Sequence, residues 1–183
     1  MTDDDALIRA AQGGDADAFE ALLEAHYDTL YRFAYKWSGH PADADDITQQ
    51  ACIKLAGALS SYRFESAFTT WLYRVVVNCA KDWARAQGRH LAEPLEPALE
   101  QGTTETLSEK EAVEHHVFLH QLLERLDQLP DGLKETLLLV HAEGLSHADA
   151  ARVLEVKEST VSWRLHEFRK RYRLALAGGG FEV

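Results

Sequence analysis

Apolar residues that recur at steps of three and four constrain this chain more than any other feature. Between Asp15 and Trp37 they keep that spacing throughout, which places them on one face of a helix with about 3.6 residues per turn. Asp15 is the predicted N-cap, and Gly39 followed by Pro41 predicts the end of the helix. Only four prolines occur in 183 residues. The sequence therefore predicts an all-α fold almost throughout.

Two further helices are predicted in the first half of the chain. One starts near Asp43, where acidic side chains suit the positive end of the helix dipole, and it buries Ile47, Ala51 and Leu55. The next starts at about Ser66. Its predicted inward residues are Phe68, Trp71, Leu72, Val75, Val76, Cys79 and Trp83. Together these helices predict a first small domain over residues 1–88.

The segment 89–111 interrupts the helical pattern. It includes Pro94 and Pro97 and carries six acidic residues against two basic ones, which is typical of a flexible acidic linker. Helical periodicity resumes after it. We therefore predict a second small helical domain over residues 112–177, followed by a short tail over 178–183.

The second domain carries the pattern of a helix-turn-helix. A capping-box-like start at Ser146 precedes a short helix over 148–154. After a tight connection, Ser159 or Thr160 is the predicted cap of a longer helix that runs to about Leu176. In this motif the second helix enters the major groove of DNA. A helical hairpin that only packs has the same spacing, but the basic C-terminal half favours DNA.

A second candidate DNA surface lies on the third helix of the first domain. Arg74, Asn78 and Arg85 recur there at helical spacing; arginine can hold phosphates and asparagine can bond a base edge. The preceding loop adds Tyr62 and Phe64, and aromatic rings beside a basic stripe suit stacking of single-stranded DNA. The alternatives are a core role for the aromatic residues and a solvated role for the polar face.

Charge and composition limit the classes of function. The formal net charge is −11. An acidic chain is better suited to contact DNA together with a larger partner than to bind DNA alone. No apolar run approaches the roughly 18 residues of a membrane helix, so no membrane insertion is predicted. Cys52 and Cys79 both fall at apolar helical positions. A disulfide framework is therefore not predicted, and a reducing cytoplasm is the expected location.

In this order the motifs resemble the extracytoplasmic-function (group IV) sigma factors of the sigma-70 family, over most of the chain. In the first domain the resemblance rests on residues 44–50 and 68–75, and it continues at Asn78, Asp82 and Arg85. In the second domain it rests on Leu126, Leu129-Pro130, Gly144-Leu145-Ser146, Ser159-Thr160-Val161 and Arg164-Leu165. The resemblance implies two small helical domains, a sigma region 2 bundle and a sigma region 4 helix-turn-helix, joined by the linker.

The resemblance also implies a function and its partners. A protein of this family binds core RNA polymerase and directs promoter-specific transcription initiation. Its implied contacts are the coiled coil of the largest polymerase subunit, the flap of the second-largest subunit, promoter DNA and an anti-sigma factor. The residues implied in docking on the coiled coil are Asp45, Asp46, Gln49 and Gln50.

Two promoter elements would be read in different ways. The loop before the third helix would capture a base flipped out of the melted minus-10 element, at an unstacking cost of a few kcal/mol. The implied minus-10 residues are Tyr62, Phe64, Ser66, Trp71, Arg74, Asn78, Asp82 and Arg85. The minus-35 element would be read as duplex. The implied minus-35 residues are Ser159, Thr160, Ser162, Trp163, Arg164, His166, Glu167 and Lys170.

The recognition helix departs from the family pattern. Ser162 and Glu167 stand where relatives usually carry basic residues, and Trp163 stands where they carry serine. Fewer phosphate contacts and an altered base preference follow. We expect Glu167 to accept from a cytosine amino group and His166 to contact a guanine.

Other classes of function find less support in the sequence. His116 and His120 stand four apart on a predicted helix, but no cysteine or His-Glu-x-x-His pattern accompanies them, so neither a metal site nor a cofactor is predicted. No glycine-rich phosphate loop or nucleophile with an evident base indicates an enzyme. The main alternative is a stand-alone helix-turn-helix regulator that binds duplex DNA by itself. A second is an adaptor that has lost promoter reading.

Overall fold

The computed structural model describes residues 3–87, Pro130 and residues 132–177. Every regular element in these residues is helical, in agreement with the predicted all-α fold. The chain divides into two compact units, Met1–Leu126 and Asp127–Val183. The linker and the tail predicted over 89–111 and 178–183 lie outside the described residues, as do the predicted domain boundaries at 88 and 112.

Four helices make up the described part of the first unit. A short 3-10 turn at Leu59–Ser61 follows the third of them, and a loop then leads into the fourth. The helices are α1 (Asp3–Gln12), α2 (Ala16–Ser38), α3 (Pro41–Ala58) and α4 (Phe68–Gln87).

The ends of α2 follow the predicted signals. The Asp15 carboxylate accepts a hydrogen bond from the backbone N–H of Ala18 at 3.0 Å, which satisfies one of the free donors at the helix start. Gly39 takes the left-handed conformation with φ 76°, and its N–H donates to the carbonyl of Tyr35. The predicted N-cap and helix stop are therefore confirmed. Helix α3 begins at Pro41, which suits the first turn because proline has no N–H to leave unpaired.

Helices α2, α3 and α4 enclose the core of the first unit. Phe33, Ile47, Leu72 and Val76 are among its fully buried side chains. The predicted inward face of α4 needs a correction. Tyr73 and Val77 are buried, whereas the predicted inward residues Trp71, Val75 and Trp83 are only half-buried. The reason is that α4 packs against α2 and α3 at once, which turns its buried face toward Tyr73 and Val77.

The described part of the second unit begins with α5 (Leu133–Leu137), which continues through a wider π-helical turn at Leu138–Ala142. In this turn the N–H of Glu143 reaches back five residues to the carbonyl of Leu138. Two more helices follow: α6 (His147–Leu154) and α7 (Glu158–Ala177).

Helices α6 and α7 form the predicted helix-turn-helix. Ser146 caps α6 as expected: its hydroxyl accepts from the N–H of Asp149 at 3.1 Å and donates to the Asp149 carboxylate at 2.6 Å. The prediction that Ser159 or Thr160 caps α7 is wrong. Helix α7 already begins at Glu158, and the N–H of Thr160 bonds the carbonyl of Lys157. Both predicted caps lie in its first turn.

A short turn and a small core hold the two helices together. Glu155 reverses the chain in the left-handed conformation with φ 54°. Ala150 and Ala151 on α6 are buried beside Val161 and Leu165 on α7. Small side chains on α6 let the two backbones approach closely, and this packing turns the opposite face of α7 toward solvent.

Candidate nucleic-acid and polymerase interfaces

The outer face of α3 carries the four predicted polymerase-binding residues. Asp45, Asp46, Gln49 and Gln50 are all exposed, and they alternate with core residues of the same helix. This face therefore presents two carboxylates and two amides to a partner.

Ile53 extends the outer face of α3 and was not predicted from the sequence. It lies one turn beyond Gln49 and Gln50, and 74% of its surface is exposed. A single exposed apolar residue is common on protein surfaces, so Ile53 belongs to the candidate interface only through its position beside Gln49 and Gln50. Its position could have been noticed in the sequence, because Ile53 lies outside the buried stripe formed by Ile47, Ala51 and Leu55.

Four aromatic residues cluster around the loop between the 3-10 turn and α4. The ring centroid of Tyr62 lies 4.8 Å from that of Phe64, 5.3 Å from that of Phe68 and 5.4 Å from that of Trp71. Tyr62 and Phe68 are buried, with 6% and 7% of their surfaces exposed. Phe64 and Trp71 are half-buried. The cluster is thus partly core and partly available for stacking.

The hydroxyl of Tyr62 closes this loop. It donates to the backbone carbonyl of Ser66 at 2.6 Å. Burial raises the pKa of Tyr62, and Asp5 and Asp4 raise it further, so the phenol stays protonated and keeps donating. In this arrangement Tyr62 and Ser66, both predicted as minus-10 residues, contribute to the shape of the loop.

Helix α1 contacts the same loop through two side chains that the sequence did not single out. The Arg9 guanidinium carbon lies 4.3 Å from the ring centroid of Phe64. The Gln12 amide nitrogen donates to the carbonyls of Leu59 and Tyr62, at 2.9 Å each. These partners are about 50 residues away along the chain, and no local pattern signals such a contact.

The polar face of α4 includes the remaining predicted minus-10 residues. Asn78, Asp82 and Arg85 are exposed, and Arg74 is half-buried. Asp82 lies between two cations: Lys54 of α3 at 2.7 Å and Arg85 at 3.1 Å. The hydrogen bond from Lys54 lowers the pKa of Asp82 and raises the pKa of Lys54. The cluster of Lys54, Asp82 and Arg85 carries a net positive charge. Lys54 was not predicted as a site residue from the sequence.

The outward face of α7 carries most of the predicted minus-35 residues. Trp163 is 62% exposed, which is unusual for a side chain of its size. The Ser162 hydroxyl lies 3.0 Å from Nδ1 of His147 on α6. The structure leaves Ser159, Ser162, Trp163, His166 and Lys170 exposed, with Thr160 and Glu167 half-buried.

Arg164 lies away from that outward face. Its Nη1 lies 3.4 Å from the Thr136 hydroxyl of α5. A β-carbon at Gly132, which has φ 79°, would collide with the Arg164 guanidinium. Arg164 thus packs against the start of α5, and its predicted contact with DNA remains a prediction.

Within 3–87 and 132–177, no three His, Cys, Asp or Glu side chains are grouped as metal ligands. His116 and His120 lie outside these ranges. In the same part of the chain, no helix combines the length and the hydropathy required to cross a bilayer.

Comparison with known proteins identifies the family. The family model of sigma-70 region 2 matches residues 22–90, and that of sigma-70 region 4 matches residues 119–171. The ECF RNA polymerase sigma-E factor of Haemophilus influenzae is 32% identical over 177 residues, covering 91% of this chain and 92% of the relative. The chain belongs to the extracytoplasmic-function sigma factors. The resemblance inferred from the sequence is confirmed.

Other sigma factors and solved structures agree with this assignment. The sigma-E factor of Escherichia coli K12 is 32% identical, with 91% of each chain covered, and the sigma-H factor of Pseudomonas aeruginosa is 31% identical, with 94% and 93% covered. The structure of CnrH in complex with the cytosolic domain of CnrY superposes with a TM-score of 0.70 at 22% identity, covering 96% of this chain and 97% of CnrH. RpoE of Bartonella quintana, in complex with the anti-sigma factor NepR, gives a TM-score of 0.64 at 21% identity, covering 90% and 98%. At these identities the structural likeness bears on the fold alone.

Proposed function

We propose that this sigma factor binds core RNA polymerase and directs transcription initiation at promoters with two elements. The minus-35 element is read as duplex by α7, and the minus-10 element as melted strand by α4 and its preceding loop. The observation that carries the proposal is the alignment of sigma-E factors over about nine-tenths of both chains. Regions 2 and 4 thus occur together in this chain, in the same order as in those relatives. The proposed domains are region 2 over 1–88 and region 4 over 112–177.

Polymerase docking is assigned to the outer face of α3. Asp45, Asp46, Gln49 and Gln50 would contact the coiled coil of the largest subunit, and their exposure supports this assignment. Ile53 would supply an apolar anchor, because burying an isoleucine side chain contributes about 1.5–3 kcal/mol. The flap of the second-largest subunit is the proposed partner of region 4.

The residues proposed to read the minus-10 element have different roles. Phe64 and Trp71 are half-buried aromatic residues against which an unstacked base can lie. Asn78 is exposed and can bond a base edge, and Arg85 can hold a phosphate. Tyr62 and Ser66 keep the loop in shape through their hydrogen bond.

The minus-35 contacts are assigned to the outward face of α7. Trp163 offers an apolar surface to a thymine methyl group, His166 a donor to guanine and Glu167 an acceptor to a cytosine amino group. His147 orients Ser162 by its 3.0 Å contact. Because Ser162 and Glu167 stand where relatives usually carry basic residues, we expect base contacts to weigh more here than phosphate contacts.

We infer no catalytic role and a cytoplasmic location, where the polymerase works. Burial raises the pKa of both cysteine thiols, which keeps these candidate nucleophiles protonated. Control by an anti-sigma factor is also proposed, since the neighbours CnrH and RpoE were solved with CnrY and NepR, respectively.

The test combines binding and transcription. The purified chain is mixed with sigma-free core polymerase, analysed by size exclusion and then assayed on a pool of promoter fragments. Co-elution and start sites that share two spaced elements are the expected result. Co-elution without specific transcripts would indicate an adaptor. Binding to duplex DNA without any binding to core polymerase would identify a stand-alone regulator and overturn the proposal.

A further inference from the structure

The loop at residues 62–67 contains a backbone conformation that needs external support. Phe64 has φ 59°, a left-handed conformation that bulky L-residues rarely adopt. Such a residue persists only where its surroundings determine it, and strained positions of this kind concentrate at functional sites. The surroundings of Phe64 therefore indicate what keeps this loop in its observed shape.

Two of the supports for the loop come from α1. The Arg9 guanidinium covers one face of the Phe64 ring at 4.3 Å, while Tyr62 packs against the same ring at 4.8 Å. The Gln12 amide bridges the carbonyls of Leu59 and Tyr62, where the loop leaves the 3-10 turn. Helix α1 thus contacts both the start of the loop and its strained residue.

Arg9 is placed to act on Phe64 and is not needed by the core. Its side chain is exposed, so its removal leaves no cavity. Its interaction with the ring is a cation–π contact, which at an exposed site changes an equilibrium by about two- to fivefold. That range is enough to alter the population of one loop conformation without unfolding the domain.

We propose that Arg9 and Gln12 are positioning residues that hold the minus-10-reading loop, through Phe64, in the conformation that captures the flipped base. This inference rests on the proposed function. A loop that is already ordered loses less conformational entropy when it binds. Promoter discrimination at the captured base thus depends on a helix that is distant in sequence from the reading residues.

The test uses the full chain with core polymerase and promoters randomised at each minus-10 position. Arg9→Ala should reduce base discrimination at the captured position by about two- to fivefold, with co-elution with core polymerase unchanged. Arg9→Lys keeps a cation over the ring and should restore most of the discrimination. Arg32→Ala is the matched control, because Arg32 is exposed on α2 and its Nε donates to a carbonyl of its own helix. Wild-type discrimination in Arg9→Ala would overturn the proposal.

A double-mutant cycle separates positioning from direct DNA contact. If Arg9 acts through Phe64, Arg9→Ala should have no further effect in a Phe64→Leu background. A full effect in that background would mean that Arg9 contacts DNA itself, and would overturn the proposal. The cycle compares the base preferences of the four proteins on the same promoter pool.

A polymerase-independent readout distinguishes this inference from the proposed function. Hydrogen exchange of the Tyr62 amide, which donates to the carbonyl of Leu59 at the start of the loop, should become about two- to fivefold faster in the free chain in Arg9→Ala and in Gln12→Ala. Unchanged exchange would overturn the positioning role even in an active sigma factor. Faster exchange in a chain that gives no promoter-specific transcripts would contradict the proposed function and the promoter part of the inference, leaving only the loop contact.

Discussion

At the residue scale, the partners of a side chain decide what it can offer to DNA. Asp82 belongs to a motif expected to face the minus-10 element, yet its carboxylate already accepts from Lys54 and Arg85. Arg164 lies in the recognition helix, yet its guanidinium packs against Thr136 and Gly132. Residues such as Asn78 and Trp163 retain exposed surface and are the stronger candidates for direct contact.

The Asp82–Lys54 pair predicts a pH dependence of stability. The hydrogen bond from Lys54 lowers the pKa of Asp82 below 3.8 in the folded state. Its stabilisation is thus present above pH 3.8 and is lost as the pH falls through the lowered pKa. The pKa of Lys54 is raised above 10.5, so the pair also loses its stabilisation as the pH rises through that raised value.

The expected effect is small because the two side chains are 45% and 46% exposed. Asp82→Asn should lower the free energy of unfolding by less than about 1 kcal/mol at pH 7. The difference from wild type should disappear well below pH 3.8, as measured by urea unfolding across pH. In a Lys54→Met background the effect of Asp82→Asn should be smaller, because only the Arg85 contact is left to lose, and an undiminished effect there would show that Lys54 does not stabilise Asp82.

Trp163 predicts a second effect at the residue scale. Trp163→Ala should lower transcription from the cognate promoters about tenfold, because burying a large apolar side chain against the base edges contributes about 1.5–3 kcal/mol. Trp163→Phe retains an apolar ring and should recover part of the activity. Affinity for core polymerase, measured in parallel, should be the same in all three proteins. An unchanged promoter preference in Trp163→Ala would remove this residue from the interface.

At the element scale, the helix starts contribute to stability, whereas the exposed helix faces are candidates for binding. Ser146 and Asp149 satisfy the N-terminus of α6, whereas α7 begins at Glu158 without either predicted cap. Helix α3 alternates core residues with an exposed face that includes Ile53. The two features predict effects on different quantities, one on stability and one on binding.

The caps predict an asymmetry between two serines. Ser146→Ala removes a side-chain cap and should lower the free energy of unfolding of the second unit by about 1 kcal/mol. Ser159→Ala changes an exposed residue within the first turn of α7 and should be nearly neutral, since alanine suits a helix at least as well. Urea unfolding followed by circular dichroism measures both. Equal losses would mean that Ser159 caps α7 after all.

The outer face of α3 predicts a separation of binding from folding. Ile53→Glu should weaken binding to core polymerase by about tenfold or more, because it places a charge where an apolar anchor is buried. Its thermal midpoint should stay close to that of wild type, since the side chain is 74% exposed in the free chain. Ala25→Glu, which adds the same charge at an exposed position of α2 outside this face, is the matched control. Undiminished binding by Ile53→Glu would remove Ile53 from the docking face.

At the scale of the whole molecule, the net charge of −11 opposes DNA binding by the chain alone. Each phosphate neutralised by a cation adds to the salt dependence of binding, with a slope of about −0.9 per contact on duplex DNA. A chain with this net charge must therefore draw much of its affinity for promoters from the polymerase.

This charge predicts a dependence on the partner. In a gel-shift titration near 150 mM salt, an ionic strength at which exposed charges are screened beyond about 8 Å, the free chain should not retard promoter duplex. The complex with core polymerase should retard it. Specific retardation by the chain alone, with a steep salt slope, would instead support a stand-alone regulator.

Local signals in the sequence predicted the helices and most of their ends correctly. The spacing of apolar residues from Asp15 to Trp37, the cap at Asp15, the stop at Gly39 and the cap at Ser146 each involve residues a few positions apart. Such signals predicted an all-α chain with a helix-turn-helix, and the ordered motifs identified the family. The error at Ser159 and Thr160 is also local: two adjacent hydroxyl residues made good cap candidates, while the left-handed turn at Glu155 let α7 start earlier.

The partners of the site residues depend on tertiary packing. Gln12 bonds Leu59 and Tyr62 across 47 and 50 residues, and Lys54 bonds Asp82 across 28. Such pairs depend on how the helices pack against one another, and local residue spacing does not predict that packing. The helices, their order and the family could be predicted from the sequence, because they follow from short-range periodicity and motif order. Packing between helices decided which charges are paired, which aromatic rings are buried and which helix supports the promoter-reading loop.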